Sequence, residues 1–233
     1  MTVQVLEDRD ALARAVAHRI STRIAELRES STRRPRLVLT GGSIAAEIYG
    51  LLTGDALMWR EVDYYWGDER YVPADDADRN EFQARRAFLD RFEVPEERIH
   101  AMPPAGEHAS KQQAADAYAA DLPEEFDLVL LGVGPDAHVA SLFPGFEQLA
   151  VVDRNVVGVD DSPKPPSERL SLTFPALNRT TALWFVVAGE DKAGAVAAAL
   201  SGAPVEEAPA AGARGIEETL WMLATEAATR LPR

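Results

Sequence analysis

The chain has no cysteine among its 233 residues, which excludes disulfide bonds and thiolate metal sites. Histidine occurs only four times and lysine only three times, so nearly all the basic residues are arginine. The N-terminal segment has no basic stretch followed by an apolar run, and no apolar run is long enough to span a membrane. These absences predict a cytoplasmic protein without a membrane partner, in which a histidine or lysine inside a motif is unusually informative.

Positive charge is also scarce, since the formal net charge is −14. Proteins that bind nucleic acid usually present a basic face to the phosphate backbone, so nucleic acid is not an expected partner. An anionic small molecule would instead need a local cluster of cations against this acidic background. The sequence leaves the oligomeric state open between a monomer and a small homo-oligomer.

Helical and strand patterns alternate along the chain. Continuous apolar runs such as residues 126–132 are typical of strands in a parallel sheet that is covered on both faces. The sequence therefore predicts a single α/β domain over residues 1–233, with one doubly wound, mainly parallel sheet and helices on both faces. Strands are predicted over 36–40, 61–66, 126–132, 169–174 and 181–189, and helices over 8–29, 43–52, 79–92, 110–122, 190–200 and 216–231.

The loop after the first predicted strand reads Thr40-Gly41-Gly42-Ser43 and leads into a helix. In an open α/β sheet, ligands bind beyond the carboxyl ends of the strands. The glycines permit close approach of a ligand to the backbone, and Ser43 is a candidate helix cap. Free N–H groups there would favour an anion such as phosphate, although a plain strand-to-helix turn explains the motif equally well. The loop matches no nucleotide-binding fingerprint.

The loop after the second predicted strand, "WGDERYVPADDADRN", is dense in charge. Its carboxylates lack the spacing of a calcium-binding loop, and a solvated charged loop is the simplest interpretation. Arg70, which follows Asp68 and Glu69, is nevertheless a candidate to contact a substrate oxygen.

The stretch "LLGVGPDAHVASLFPG" contains one of the four histidines, just past the end of a buried strand. A histidine in an arbitrary position is more often structural than catalytic. At the carboxyl end of a strand, however, His138 is a candidate general base, and Asp136 is close enough in sequence to orient its ring. The other histidines have no ligand spacing to His138, and there is no nucleophile elbow, so neither a metal site nor a serine nucleophile is expected.

Five segments between residues 37 and 200 are informative together, namely "TGGS", "WGDERYVPADDADRN", "LLGVGPDAHVASLFPG", "DSPKPPSERLSLTFPALN" and "FVVAGEDKAGAV". In these segments and in their order, the chain resembles the 6-phosphogluconolactonase family. The resemblance implies a fold related to glucosamine-6-phosphate deaminase. It also implies hydrolysis of 6-phospho-D-glucono-1,5-lactone to 6-phosphogluconate in the oxidative pentose phosphate pathway, with no metal or nucleotide cofactor.

The same resemblance implies roles for individual residues. His138 would be the base that activates water, and Arg70 and Lys164 would hold the oxygens of a sugar-phosphate substrate. Asp136 and Asp68 complete the catalytic candidates, the latter as a possible proton carrier. The phosphate site would be formed by Gly41, Gly42, Ser43, Arg169 and Lys192.

Two departures from the family pattern bear on activity. Ala137 stands where the family usually has glycine, and a left-handed backbone there would cost alanine on the order of 1–2 kcal/mol and could tilt His138. Ile44-Ala45 replaces the usual Thr-Pro, which removes a hydroxyl from the phosphate loop. These changes keep open a catalytically weak sugar-phosphate sensor. A related isomerase or deaminase is the other alternative, but the segment after His138 reads "SLFPG" without the glutamate expected there.

Overall fold

Nine strands form two sheets within residues 1–232, the part of the chain that the computed structural model describes. Six of them build a fully parallel central sheet, and three build a small antiparallel sheet. The strands are β1 (Thr2–Leu6), β2 (Arg36–Leu39), β3 (Asp63–Trp66), β4 (Asp68–Arg70), β5 (Phe126–Leu131), β6 (Val156–Val159), β7 (Arg169–Leu172), β8 (Thr180–Val187) and β9 (Glu218–Ala224).

The strand order of the central sheet is β1-β9-β8-β5-β2-β3. From β2 the chain moves outward to β3, whereas from β5 it moves the other way through β8 to β9. The neighbours β2 and β5 therefore mark the point where the strand order reverses. The crevice beyond the carboxyl ends of these two strands is where ligands bind in such sheets.

Helices cover both faces of this sheet, as predicted. The face with α1 to α4 forms one hydrophobic core, and the face with α5, α6, α7 and the small sheet forms the other. No helix within residues 1–232 has the length and apolar character that crossing a membrane requires. The helices are α1 (Arg9–Ser30), α2 (Ser43–Gly50), α3 (Ala56–Arg60), α4 (Asn80–Ala84), α5 (Lys111–Asp121), α6 (Phe174–Leu177) and α7 (Ala193–Leu200).

The first helix shows how the sequence sets these elements. Oδ1 of Asp8 accepts a hydrogen bond from the N–H of Ala11 at 2.7 Å, which caps the start of α1. Leu12, Val16 and Ile20 recur at helical spacing and are fully buried against the sheet. Burial of each such side chain contributes roughly 1.5–3 kcal/mol, so α1 is fixed by its apolar face.

The small sheet has the order β4-β7-β6. The predicted strand over 169–174 exists as β7 but lies in this sheet and pairs antiparallel with both neighbours. The register sets Arg70 of β4 directly opposite Arg169 of β7. The small sheet thus joins two segments that are about 100 residues apart in sequence and brings their basic side chains together.

The prediction of a C-terminal helix over 216–231 is wrong, because Glu218–Ala224 within that range forms the strand β9. Helical spacing of Ile216, Leu220 and Leu223 suggests one apolar face, yet Ile216 is exposed. Leu220 and Met222 enter one core while Trp221 and Leu223 enter the other. A continuous apolar run that is buried on both faces is typical of a strand in a parallel sheet. The helical spacing of these residues is therefore coincidental.

Candidate active site

A cleft of about 320 Å³ opens beyond the carboxyl ends of β2 and β5. It brings together all but one of the site residues predicted from the sequence. The exception, Asp136, contacts the site through His138. The predicted residues that line the cleft are Gly41, Gly42, Ser43, Asp68, Arg70, His138, Lys164, Arg169 and Lys192.

The imidazole of His138 is held on several sides. Its Nδ1 atom lies 2.5 Å from Oδ1 of Asp136, and its ring centroid lies 4.6 Å from that of Phe143. Gly134 permits this position, because a Cβ there would lie 2.0 Å from Nδ1. With Nδ1 engaged by the carboxylate, Nε2 is the ring nitrogen left for the cleft.

Asp136 is ionised over the whole range in which proteins usually work. Burial acts to raise its pKa, but the hydrogen bond to His138 and the charge of the imidazolium outweigh it and lower the pKa to about 2. An ionised Asp136 accepts the hydrogen bond, so Nδ1–H is the donor and the ring is fixed in one tautomer. The arrangement prepares Nε2 to accept a proton.

Ala137, which stands where the family usually has glycine, adopts a left-handed backbone conformation with φ of 67°. Its N–H donates to the carbonyl of Gly134 at 3.0 Å, and its own carbonyl accepts from Ala210 at 3.0 Å. These bonds hold a turn that is unfavourable for alanine by about 1–2 kcal/mol. The contact between His138 and Asp136 forms despite this cost.

The glycine loop leads into α2 at one side of the cleft. Gly42, and not Ser43, is the N-cap residue, so the expectation that Ser43 caps the helix is wrong. Ser43 is instead the first helical residue, and its hydroxyl accepts a hydrogen bond from Nη2 of Arg9 at 2.9 Å. Its Oγ is therefore engaged by a side chain of α1 rather than by the backbone of its own helix.

Arg70 is oriented by Asn80, a buried side chain that the sequence reasoning did not single out. Nη1 of Arg70 donates to Oδ1 of Asn80, and Nδ2 of Asn80 donates to the carbonyl of Asp68 at 2.8 Å. Asn80 lies tightly against Gly41, where a Cβ would come within 1.9 Å of Oδ1. Gly41 is thus required for the packing that aims Arg70, independently of any ligand.

Glu69 binds backbone N–H groups and does not line the cleft. Its carboxylate accepts hydrogen bonds from the N–H groups of Arg70, Asn80 and Glu81 at 2.8, 2.7 and 2.9 Å. Burial raises its pKa to about 7, while Arg79 and these N–H groups act in the opposite direction. Glu69 ties the end of β4 to the start of α4 and so supports Arg70 and Asn80.

Asp68 and Arg169 meet at the floor of the cleft. Oδ2 of Asp68 accepts a hydrogen bond from Oγ of Ser141 at 2.6 Å and lies 3.9 Å from Nη1 of Arg169. The other nitrogens of Arg169 donate to the carbonyls of Lys164 and Pro166 at 3.0 and 2.8 Å. Burial lowers the pKa of Arg169, and Asp68 opposes that shift. Arg169 therefore both faces the cleft and secures the loop that carries Lys164.

Two of the three lysines line the same cleft. Burial, and then the charge of Lys192, lower the pKa of Lys164. Nζ of Lys192 donates to Asp191 at 2.8 Å, and this hydrogen bond lowers the pKa of Asp191. Repulsion between two ammonium groups in a strongly acidic chain marks this end of the cleft as a place for an anion.

The donor set of the cleft suits anions better than cations. Within residues 1–232, no group of three or more histidine, aspartate or glutamate side chains is arranged to hold a metal ion. The cleft is lined instead by arginine and lysine side chains and by the start of α2. Such donors bind phosphate and carboxylate oxygens.

A family model described as "Glucosamine-6-phosphate isomerases/6-phosphogluconolactonase" matches residues 7–221. The chain belongs to this family. A 6-phosphogluconolactonase of Streptomyces coelicolor is 45% identical over 98% of this chain and 94% of its own length. A 6-phosphogluconolactonase of Mycobacterium leprae is 42% identical over 99% of this chain and 98% of its own length. The crystal structure of the Thermotoga maritima 6-phosphogluconolactonase, 28% identical, matches 96% of this chain and 99% of its own with a TM-score of 0.86. The family resemblance and the α/β fold inferred from the sequence are confirmed.

Three residues of the site, Asn80, Ser141 and Arg9, were not predicted from the sequence. Asn80 and Ser141 lie inside the segments that carry the family resemblance, so their position in those segments was an available signal. Arg9 lies more than 30 residues before the glycine loop. Only the packing of α1 against α2 brings Arg9 to the cleft, and no local motif indicates it.

Proposed function

We propose that this chain hydrolyses 6-phospho-D-glucono-1,5-lactone to 6-phospho-D-gluconate, a step of the oxidative pentose phosphate pathway. The full-length similarity to proteins named 6-phosphogluconolactonase supports the reaction. The single observation that carries the mechanism is the pairing of His138 with an ionised Asp136 at the edge of a cation-lined cleft.

In the proposed reaction, Nε2 of His138 removes a proton from water as the water oxygen attacks the lactone carbonyl carbon. The lactone is already electrophilic, so a covalent nucleophile is not required. The imidazolium that forms is stabilised by Asp136 through Nδ1–H. The ring C1–O5 bond then breaks, and O5 receives the proton from His138 as it becomes a hydroxyl. The new carboxyl group ionises, which leaves the carboxylate product.

The cations of the cleft have two tasks in this proposal. Arg70 and Lys164 hold the carbonyl oxygen as negative charge develops on it. Gly41, Gly42 and Ser43, together with Arg169 and Lys192, bind the phosphate at the far end of the substrate. Binding of the phosphate supplies free energy that positions the carbonyl carbon at His138. Asp68 keeps Arg169 in place and is a second candidate to carry a proton.

The test is the lactone hydrolysis rate of the wild type and of His138→Gln, each measured above the spontaneous rate in buffer. General-base help contributes typically about 10²- to 10⁴-fold, so the variant should lose at least 100-fold in kcat. Circular dichroism checks that the variant folds. A variant as active as the wild type would refute the role of His138.

A second assay separates the lactonase from an amino-sugar phosphate deaminase, which shares the family. With glucosamine 6-phosphate, the proposal expects no ammonia above background. Appreciable release would replace the lactonase with the deaminase. A wild type that binds 6-phosphogluconate without hydrolysing the lactone would instead identify a sugar-phosphate sensor.

A further inference from the structure

We propose that Arg9, the first residue of α1, binds the substrate's phosphate group and contributes to specificity for phosphorylated lactones. The inference rests on the proposed function and adds a residue from outside the segments that carry the family resemblance. Arg9 lines the same cleft as Gly42, Ser43 and Lys192. It is the one lining residue contributed by α1.

The guanidinium of Arg9 is fixed in orientation. Nε lies 3.1 and 2.9 Å from the two carboxylate oxygens of Glu47, and Nη2 lies 2.8 Å from Oε1. A carboxylate that engages Nε and Nη2 occupies one edge of the planar fork. Glu47, a residue of α2, thus fixes the orientation of the Arg9 side chain.

The second hydrogen of Nη2 belongs to the other edge of the fork, which it shares with Nη1. This hydrogen is donated to Oγ of Ser43 at 2.9 Å. Nη1 itself makes no hydrogen bond to the part of the chain that the structure describes, residues 1–232. The Nη1–Nη2 edge therefore faces the start of α2 with a donor to spare.

That edge fits a tetrahedral phosphate. Nη1 can donate to one phosphate oxygen, and the hydroxyl of Ser43, which accepts from Nη2, can donate its own proton to a second phosphate oxygen beside the first turn of α2. Lys192 supplies a second cation on the cleft wall. A neutral hydroxymethyl group at the same place would gain little from a guanidinium already paired with Glu47. The geometry therefore favours the phosphorylated lactone over the unphosphorylated one.

The test compares Arg9→Gln with a matched control, Arg34→Gln. Arg34 is similarly exposed and also pairs with a carboxylate, Glu61, but lies outside the cleft. Two quantities are measured in each: KM for the phosphorylated lactone and the competitive inhibition constant of inorganic phosphate. Loss of a charge-assisted hydrogen bond at a partly exposed site should raise both about 10-fold in Arg9→Gln, with kcat within about twofold. Arg34→Gln should change neither.

Two results would overturn the proposal. If the inhibition constant of phosphate is unchanged in Arg9→Gln, Arg9 does not contact the phosphate, whatever happens to KM. If Arg34→Gln shows the same rise, the effect reflects net charge alone. Titration of inorganic phosphate followed by phosphorus NMR measures the same difference without turnover. A wild type that binds phosphate through Arg9 but does not hydrolyse the lactone would refute the proposed function and leave this inference standing.

Discussion

Nδ1 of His138 and Oδ1 of Asp136 are 2.5 Å apart, although only one residue separates them in the chain. Side chains two residues apart do not face each other on a helix, and along a strand they share a face but stand roughly 6–7 Å apart. They meet here because the intervening Ala137 takes a left-handed conformation and turns the backbone between them. The proposed base and its orienting carboxylate are therefore brought together by a single tight turn.

Asp136→Asn should lower kcat by roughly 10-fold or more and leave KM nearly unchanged. The amide keeps the size of the side chain but removes the negative charge that stabilises the imidazolium. The matched control is Asp121→Asn, which alters a carboxylate 2.6 Å from Nδ1 of His100, a histidine that does not line the cleft. Equal effects of the two substitutions on kcat would contradict a catalytic role for the pair.

The same variant gives a test of the lowered pKa of Asp136. Because the folded state lowers this pKa from 3.8 to about 2, the ionised carboxylate stabilises the fold above pH 4, and the effect is lost as the pH falls toward 2. The difference in free energy of unfolding between wild type and Asp136→Asn should therefore shrink as the pH is lowered from about 5 to about 2. Urea denaturation at a series of pH values measures it. A constant difference would show that the pKa is not lowered.

Substitutions of Ala137 should separate backbone strain from packing. Ala137→Val places a β-branched side chain in a buried left-handed position and should cost roughly 1–3 kcal/mol of stability. Ala137→Gly relieves the strain but loses a buried methyl group and adds unfolded-state entropy, so its stability should lie within about 1 kcal/mol of the wild type. Urea denaturation ranks the three proteins, and a valine variant as stable as the glycine variant would contradict the left-handed assignment.

Gly41→Ala should reduce kcat/KM by at least about 10-fold. The added Cβ would displace Asn80, which orients Arg70, and a misplaced charged group weakens stabilisation of the developing oxyanion. Gly50→Ala is the matched control, since a Cβ there meets nothing within 4 Å and Gly50 is helical. That control should retain full activity and gain up to about 1 kcal/mol of stability. Full activity of Gly41→Ala would show that Asn80 does not control Arg70.

Lys111→Met should raise KM about threefold, although Lys111 lies outside the cleft. Its Nζ binds Asp160 and Glu168, which stand at the two ends of the loop that carries Lys164. Loss of the ammonium frees both ends of that loop and makes Lys164 harder to position. Lys111→Arg, which keeps the charge, should restore most of the KM. If Lys111→Met and Lys111→Arg have the same KM, the two ion pairs do not position the loop.

The architecture of the central sheet was largely predictable from the sequence, because its strands carry local signals. Continuous apolar runs such as 126–131 indicate buried parallel strands whatever their partners. The C-terminal strand β9 was mistaken for a helix because its buried residues also satisfy a helical period. The edge strand β1, with all but its last residue exposed, has no apolar run to reveal it. Both errors concern elements whose identity depends on neighbours in the fold.

The cleft was predictable as far as its residues follow strand ends. His138, Arg70 and the glycine loop stand directly after strands or in the small sheet beside them, and the topology rule is enough to group them. Arg9 and the structural role of Glu69 were not predictable in this way. The position of Arg9 depends on the packing of two helices, and the role of Glu69 depends on three N–H groups that only the folded loop brings together.

Arg70 and Arg169 stand opposite each other on antiparallel strands, an arrangement that disfavours the folded state because like charges face one another. An anionic metabolite bound between them would remove that repulsion. Binding and folding are then thermodynamically linked, and the melting temperature should rise with the concentration of 6-phosphogluconate. In a cell, the half-life of this protein would depend on how much sugar phosphate is present, so the supply of metabolite would help to set the amount of enzyme.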